Sequence, residues 1–358
     1  MRNYLSTRWG IIFTGAVIGV IAVTLQKLGN PANMGICVAC FERDMAGSLG
    51  LHRAEVVQYM RPEIAGLVLG SFLVALVKKE YQPRGGSSTI IRFFLGVFAM
   101  IGALVFLGCP WRALLRFSGG DWNAIAGLLG LAIGIAIGVA FLKNGYNLGR
   151  SYKLKKSAGW VFPAFMAALV IMVTLNFRVS ETGPLFFSEK GPGSQHAPLI
   201  ISIIAGIIIG ILAQRSRFCT MGSIRDIILA KDFHLASGVI ALVISAFVFN
   251  FLYGQFKPGF EGQPIAHTAH IWNFAGMVLA GLAFALAGGC PGRQLILSGE
   301  GDSDAAVFVM GMIVGAGISH NFMLASSPAG VGAFGPAAVA IGLIFCLIIG
   351  FTMREKVS

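Results

Sequence analysis

Ten apolar runs, each close to the length of a bilayer, leave this chain few ways to fold. They lie at about 9–25, 62–77, 90–108, 123–142, 158–177, 197–213, 234–252, 271–288, 304–320 and 336–352. A hydrocarbon layer about 30 Å thick takes about 20 apolar residues in a helix, so the shorter runs must tilt or lean on neighbouring segments. Composition agrees, because 56% of residues are hydrophobic and only 12% charged, with a mean hydropathy of +0.79. Soluble domains carry about 25% charged residues. The expected class is an all-α integral membrane protein with about ten transmembrane helices and short re-entrant helices between some of them. The formal charge of +12 sits in short loops between apolar runs, where it orients spans, so nucleic acid is excluded as a partner. The first run follows Arg2 and Arg8 but lacks a small-x-small cleavage site, so it reads as a retained span and not as a signal peptide.

Between the first two runs, Met34 to Leu51 is too apolar for an exposed loop and too short to cross, which predicts a re-entrant half-helix. The chain also repeats itself. Gly108-Cys109-Pro110-Trp111-Arg112 returns 181 residues later as Gly289-Cys290-Pro291-Gly292-Arg293. Cys37, Arg43, Asp44 and His52 return as Cys219, Arg225, Asp226 and His234, shifted by 182. Asp121, Gly130 and Gly134 return as Asp302, Gly311 and Gly315, and Gly15-x-x-x-Gly19 has a looser counterpart in Gly206-x-x-x-Gly210. Residues 1–180 and 181–358 therefore read as two copies of one five-span unit. Five is odd, so the second copy is expected to enter the membrane inverted.

Loop charge supports that orientation. With a cytoplasmic N-terminus, the inside loops collect Lys78, Lys79, Arg84 and Arg92, then Lys143, Arg150, Lys153, Lys155 and Lys156, then Arg215, Arg217, Arg225 and Lys231, and finally Arg354 and Lys356. The exceptions are Arg43, Arg53, Arg61, Arg112 and Arg116 on the outside and Glu300, Asp302 and Asp304 on the inside. All lie around the repeated motifs, so they are expected to fold back into the protein. Inverted repeats with interrupted helices make transporters, whose substrates bind where broken elements of both halves meet.

Pro after Cys ends one helix and opens another, which sets Cys109 and Cys290 among the free N–H groups of new helices, favourable to anions and thiolates. Arg112 and Arg293 fall within one turn of those starts and are candidates to attract an oxyanion. Cys37 and Cys219 form a second pair, and Cys40 makes the first copy a C-x-x-C, compatible with redox chemistry, metal binding or disulfide exchange. No second C-x-x-C or spaced His pair follows, so no zinc site, other metal or cofactor is assigned. Arg43-Asp44 and Arg225-Asp226 read as self-neutralising charge pairs, His52 and His234 as residues at the entry to spans, and Cys346 as packing.

These motifs resemble the YeeE/YedE sulfur transport family, and specifically the YedE-like branch associated with selenium transport. The resemblance runs over nearly the whole chain. It rests on Asn33-Met34-Gly35-Ile36-Cys37-Val38-Ala39-Cys40-Phe41, Arg43-Asp44, Gly108-Cys109-Pro110, Arg217-Phe218-Cys219-Thr220-Met221-Gly222 and Gly288-Gly289-Cys290-Pro291-Gly292-Arg293-Gln294. It implies an inner-membrane importer, not an enzyme, with both termini cytoplasmic. A small sulfur or selenium anion would pass Cys37, Cys109, Cys219 and Cys290 to a cytoplasmic sulfur- or selenium-handling protein. Cys40 departs from the simpler thiosulfate pattern and fits the selenium branch, with either hydrogen-bonded relay or transient S–S or Se–S bonding open to it. The alternative is a membrane thiol-disulfide oxidoreductase using Cys37 and Cys40.

Overall fold

A computed structural model describes residues 4–178 and 184–354. Arg2, Lys356 and the expected boundary between the two halves at 180/181 lie outside the described residues. The architecture is all-α. Five helices of the first half are long: α1 (Arg8–Lys27), α3 (Pro62–Val77), α4 (Thr89–Phe106), α6 (Asn123–Lys143) and α7 (Lys156–Thr174), interleaved with short α2 (Val38–Ser48) and α5 (Pro110–Ser118). The second half follows the same order, with α8 (Leu199–Ser216), short α9 (Thr220–Ala230), α10 (His234–Leu252), α11 (His270–Ala287), short α12 (Pro291–Gly299), α13 (Ser303–Asn321) and α14 (Gly335–Thr352). A two-residue antiparallel ribbon, β1 (Arg84–Gly85) with β2 (Tyr152–Lys153), ties two loops together. The expected half-helix between the first two spans is α2, and every residue of it is buried.

Among the described residues nine helical segments are long and apolar enough to cross a membrane, and the protein is a multi-pass membrane protein. The tenth expected span, α3, is apolar but only 16 residues long. At 1.5 Å per residue it covers about 24 Å, short of the hydrocarbon layer. Helices α8, α12 and α7 pack along it, while Leu73 and Val77 toward its C-terminal end are exposed. The lipid surface is visible on α10, where Ile240, Ile244, Phe247 and Phe251 recur at helical spacing and are exposed. By contrast, 83% of the apolar window that begins with α11 is buried, which makes α11 the central span.

The closest helix pairs are α1 with α10, α3 with α8, α4 with α13, and α6 with α11. Exchanging each helix for the one in the same place in the other half turns the first pair into the second and the third into the fourth. The last helix of each half follows this rule in the contact of α7 with α13, which answers to α14 with α6, and departs from it in its other contacts. Helix α7 lies against α3, α12 and α13, whereas α14 lies against α11, α4 and α6. The repeated glycines are the contact points of the closest pairs. A Cβ on Gly15 would collide with the Gly238 carbonyl, one on Gly130 with the Phe274 carbonyl, and one on Gly311 with the Phe93 carbonyl. In a bilayer, helices gain little from burying apolar surface against one another, so close backbone approach through small residues holds them.

The basic exceptions behave as expected, since Arg43, Arg61, Arg112 and Arg116 are buried. Arg53 differs: it is exposed and rests on the ring of Phe186, 4.3 Å away. His52 does not sit at a span entry. It lies in the loop ten residues before α3, with Nε2 3.1 Å from the Arg43 carbonyl, whereas His234 opens α10 as expected. Because the obstructing atoms at Gly15 and Gly311 are backbone, Gly15→Leu and Gly311→Leu are each expected to cost at least about 1–3 kcal/mol in detergent unfolding. Ile240→Ala on the lipid face is expected to stay within about 0.5 kcal/mol in the same assay.

Candidate functional site

All four short helices begin at a cysteine. Cys37, Cys109, Cys219 and Cys290 are the N-caps of α2, α5, α9 and α12, each with an extended backbone, and Pro110 and Pro291 occupy the first helical positions. Helices α4, α8 and α11 stop just before Cys109, Cys219 and Cys290, whereas α1 ends at Lys27, well before Cys37. Leu107 and Gly288, equivalent positions in the repeat, take left-handed conformations that end α4 and α11 (φ 65° and 86°). The turn costs nothing at Gly288, whereas Leu107 accepts about 1–2 kcal/mol of steric strain.

The caps come together as two thiol pairs. Cys37 Sγ is 3.9 Å from Cys109 Sγ, and Cys219 Sγ is 3.8 Å from Cys290 Sγ. The Cys40 N–H donates to Cys37 Sγ and the Gly222 N–H to Cys219 Sγ, both at 3.2 Å. The N–H groups of Ala39 and Arg112 face Cys109, and those of Thr220 and Arg293 face Cys290. Each pair thus sits where two helix N-termini converge, one helix supplied by each motif of its own half. Unsatisfied N–H groups and the positive end of each helix favour a negative ligand there. All six cysteines are free and buried, including Cys346 within α14.

The two expected arginines have different surroundings. Arg112 is completely buried, and its guanidinium is spent on neutral acceptors: the carbonyls of Leu107, of Asn33 at 3.3 Å, of Pro264 at 3.5 Å and of Ile265 at 3.1 Å. It therefore clamps the strained turn at Leu107 to the segment before α2 and the loop before α11. Its Nη1 also reaches Cys40 Sγ at 3.6 Å, which brings the third thiol of the first half to the edge of the site. Arg293 lies instead on a cavity of about 290 Å³ lined by Glu80, Gln82, Arg84, Arg217, Glu300 and Asp302. Ion pairs bridge its walls, with Arg217 2.8 Å from Glu300, Arg293 3.4 Å from Glu300 and Arg84 2.7 Å from Asp302. Hydrogen bonds from Gln214 and then Arg215 hold the Glu80 carboxyl below the usual carboxylate range, so it stays ionised on that wall.

Two residues beside the first pair were missed as sequence candidates. Glu42 is fully buried in α2, close enough to Cys109 to interact electrostatically, and among the described residues neither carboxylate oxygen has a hydrogen-bond partner. An ionisable residue inside an apolar segment was the available signal. Trp111 is 2% exposed, and its indole N–H has no partner among the described residues either. The signal for Trp111 lay in the pentapeptide, where it faces Gly292 across the repeat. The thiol sites are not equivalent. Where the first has Cys40 and Glu42, the second has Gly222 and Ile224.

The repeated charge motif also diverges. Asp44 is buried between Arg43 at 2.6 Å and Arg61 at 2.7 Å, whereas Asp226 pairs only with Arg225, at 2.8 Å, and both are partly exposed. Arg116 and Asp121 form another fully buried pair at 2.6 Å, anchoring the end of α5. Among the described residues no group of three or more His, Cys, Asp and Glu is arranged to hold a metal ion.

A family model described as Sulphur transport matches residues 215–344, the stretch from the end of α8 into α14 that carries Cys219 and Cys290. No curated protein matches the chain.

The burial difference gives identical sequence motifs different energetic weight. Asp44→Ala leaves two buried guanidinium groups uncompensated and is expected to cost about 3–5 kcal/mol in reversible unfolding in detergent. Asp226→Ala removes a partly solvated pair and is expected to cost no more than about 1 kcal/mol in the same measurement.

Proposed function

We propose that this chain is a bacterial plasma-membrane transporter that imports a small sulfur or selenium anion, passing it between the Cys37–Cys109 and Cys219–Cys290 pairs. The carrying observation is that each pair, one per half, sits at two converging helix N-termini. Such a site attracts an anion through N–H dipoles and soft S–H groups, without the grip of an unpaired cation at the thiols. Passage needs that restraint, because a substrate must leave each site as readily as it enters. The match to a Sulphur transport model in a protein of many apolar helices points to a transporter. Thiosulfate, selenite and selenosulfate all fit this chemistry, and the additional Cys40 favours the selenium species.

In this reading residues 1–180 and 181–358 are inverted copies related by a two-fold axis in the membrane plane. The interchange of closest helix pairs supports it, as does the matching order of long and short helices. Both termini then lie in the cytoplasm, with Cys37 and Cys109 nearer the outside. The cavity around Arg293 forms the inner mouth, where a soluble sulfur- or selenium-handling protein would collect the anion. A thiol oxidoreductase using Cys37 and Cys40 is the weaker reading, because it leaves the second Cys-Pro motif and the Cys219–Cys290 pair without a role.

Uptake of labelled thiosulfate, selenite and selenosulfate into vesicles tests the proposal. Cys109→Ala and Cys290→Ala are each expected to lower uptake at least about tenfold, the loss of roughly 1.4 kcal/mol of stabilisation along the path. Cys40→Ala is expected to shift the preference among the three anions more than the total rate. Uptake that survives the loss of both Cys109 and Cys290 rules the path out.

A further inference from the structure

Trp111 and Gly292 are the one pair of positions at which the two Gly-Cys-Pro pentapeptides differ, and they touch. A Cβ on Gly292 would lie 2.8 Å from the Trp111 ring. The same ring meets Phe218 edge-on, with centroids 6.0 Å apart. Trp111 follows Cys109 by two residues, Gly292 follows Cys290 by two, and Phe218 immediately precedes Cys219. The side chain therefore leaves the first thiol site and ends against both segments that carry the second. Equivalent positions of two pseudo-symmetric halves can be in contact only at the symmetry axis. There is room for one large side chain at such a point, which accounts for glycine in the other copy.

We propose, on the basis of the transport path above, that Trp111 is the central gate between the two thiol pairs and that its indole N–H is the hydrogen-bond donor met by the anion as it crosses. The unpartnered N–H supplies the second half of this inference. Indole nitrogen only donates, and a buried Trp N–H ordinarily finds an acceptor. Here, among the described residues, it is buried without one, beside two anion-favouring helix starts. The ring body blocks small ions that do not bind, while the N–H gives a passing thiosulfate-like or selenium oxyanion a bond at the narrowest point. A donor with no full charge suits a crossing point, where a strong site would become a trap.

The test uses purified full-length protein in liposomes, with a halide-quenched dye reporting chloride or iodide entry and labelled thiosulfate or selenite reporting transport. Trp111→Gly, which makes the pentapeptides alike, and Trp111→Ala are expected to raise halide leak at least tenfold over wild type. Trp111→Phe keeps the ring and removes the donor. It is expected to stay halide-tight while raising the KM for the oxyanion several-fold. Wild-type vesicles that accumulate substrate while the Gly and Ala variants stay as tight as wild type would overturn the gate and leave the transport path standing. Wild-type vesicles that take up neither anion would remove the path and the gate with it. If the small-residue variants do not fold, as judged by elution from a sizing column, Trp111→Phe decides alone, since an unchanged KM eliminates the donor role.

Discussion

A helix that starts inside a membrane leaves up to four N–H groups without partners in a medium that offers no water, and four helices here do so. The sequence answers this with Cys at the cap and, in two of the four cases, Pro at the first helical position, where no N–H is required. What remains is polarity pointed at the sulfurs. The thiol sites and the interrupted spans are thus one feature: breaking a helix creates the donors, and the cysteines sit where those donors aim. The cost of irregular backbone at membrane depth is tolerable because these breaks are buried in protein.

Holding such breaks in place falls to buried charge and close helix contact. Arg112 binds four carbonyls around the first break, Asp44 holds Arg43 and Arg61, and Arg116 with Asp121 secures the end of α5. Around them, repeated glycines let α1 meet α10 and α6 meet α11 at backbone distance. The first half carries most of the fully buried arginines, while the second places Arg217 and Arg293 at a wetter, ion-paired cavity. Two copies of one motif have become a buried scaffold in one case and the wall of a polar cavity in the other.

Much of this was legible beforehand. The spans followed from apolar length, since lipid imposes that length on any helix that crosses it. The half-helix at α2, the helix starts after Cys109 and Cys290, and the inward folding of Arg43, Arg61, Arg112 and Arg116 followed from local chemistry and from charge in the wrong place. His52 is not a span-entry residue, because nine loop residues separate it from α3 where its counterpart starts α10 directly. The α3 span coincides with its apolar run at 62–77, and its 16 residues fall short of the hydrocarbon layer just as that run does.

By itself the sequence determined a multi-pass helical protein, its repeated cysteine motifs and the positions of the breaks, because hydrophobic length and Cys-Pro chemistry act within a few residues. Only the tertiary structure decided that Cys37 meets Cys109 and Cys219 meets Cys290, that Arg112 is used up on carbonyls while Arg293 faces a cavity, and that Glu42 and Trp111 are left without partners among the described residues. Those outcomes depend on which groups arrive together from distant segments. No local pattern encodes whether a buried polar group finds its partner.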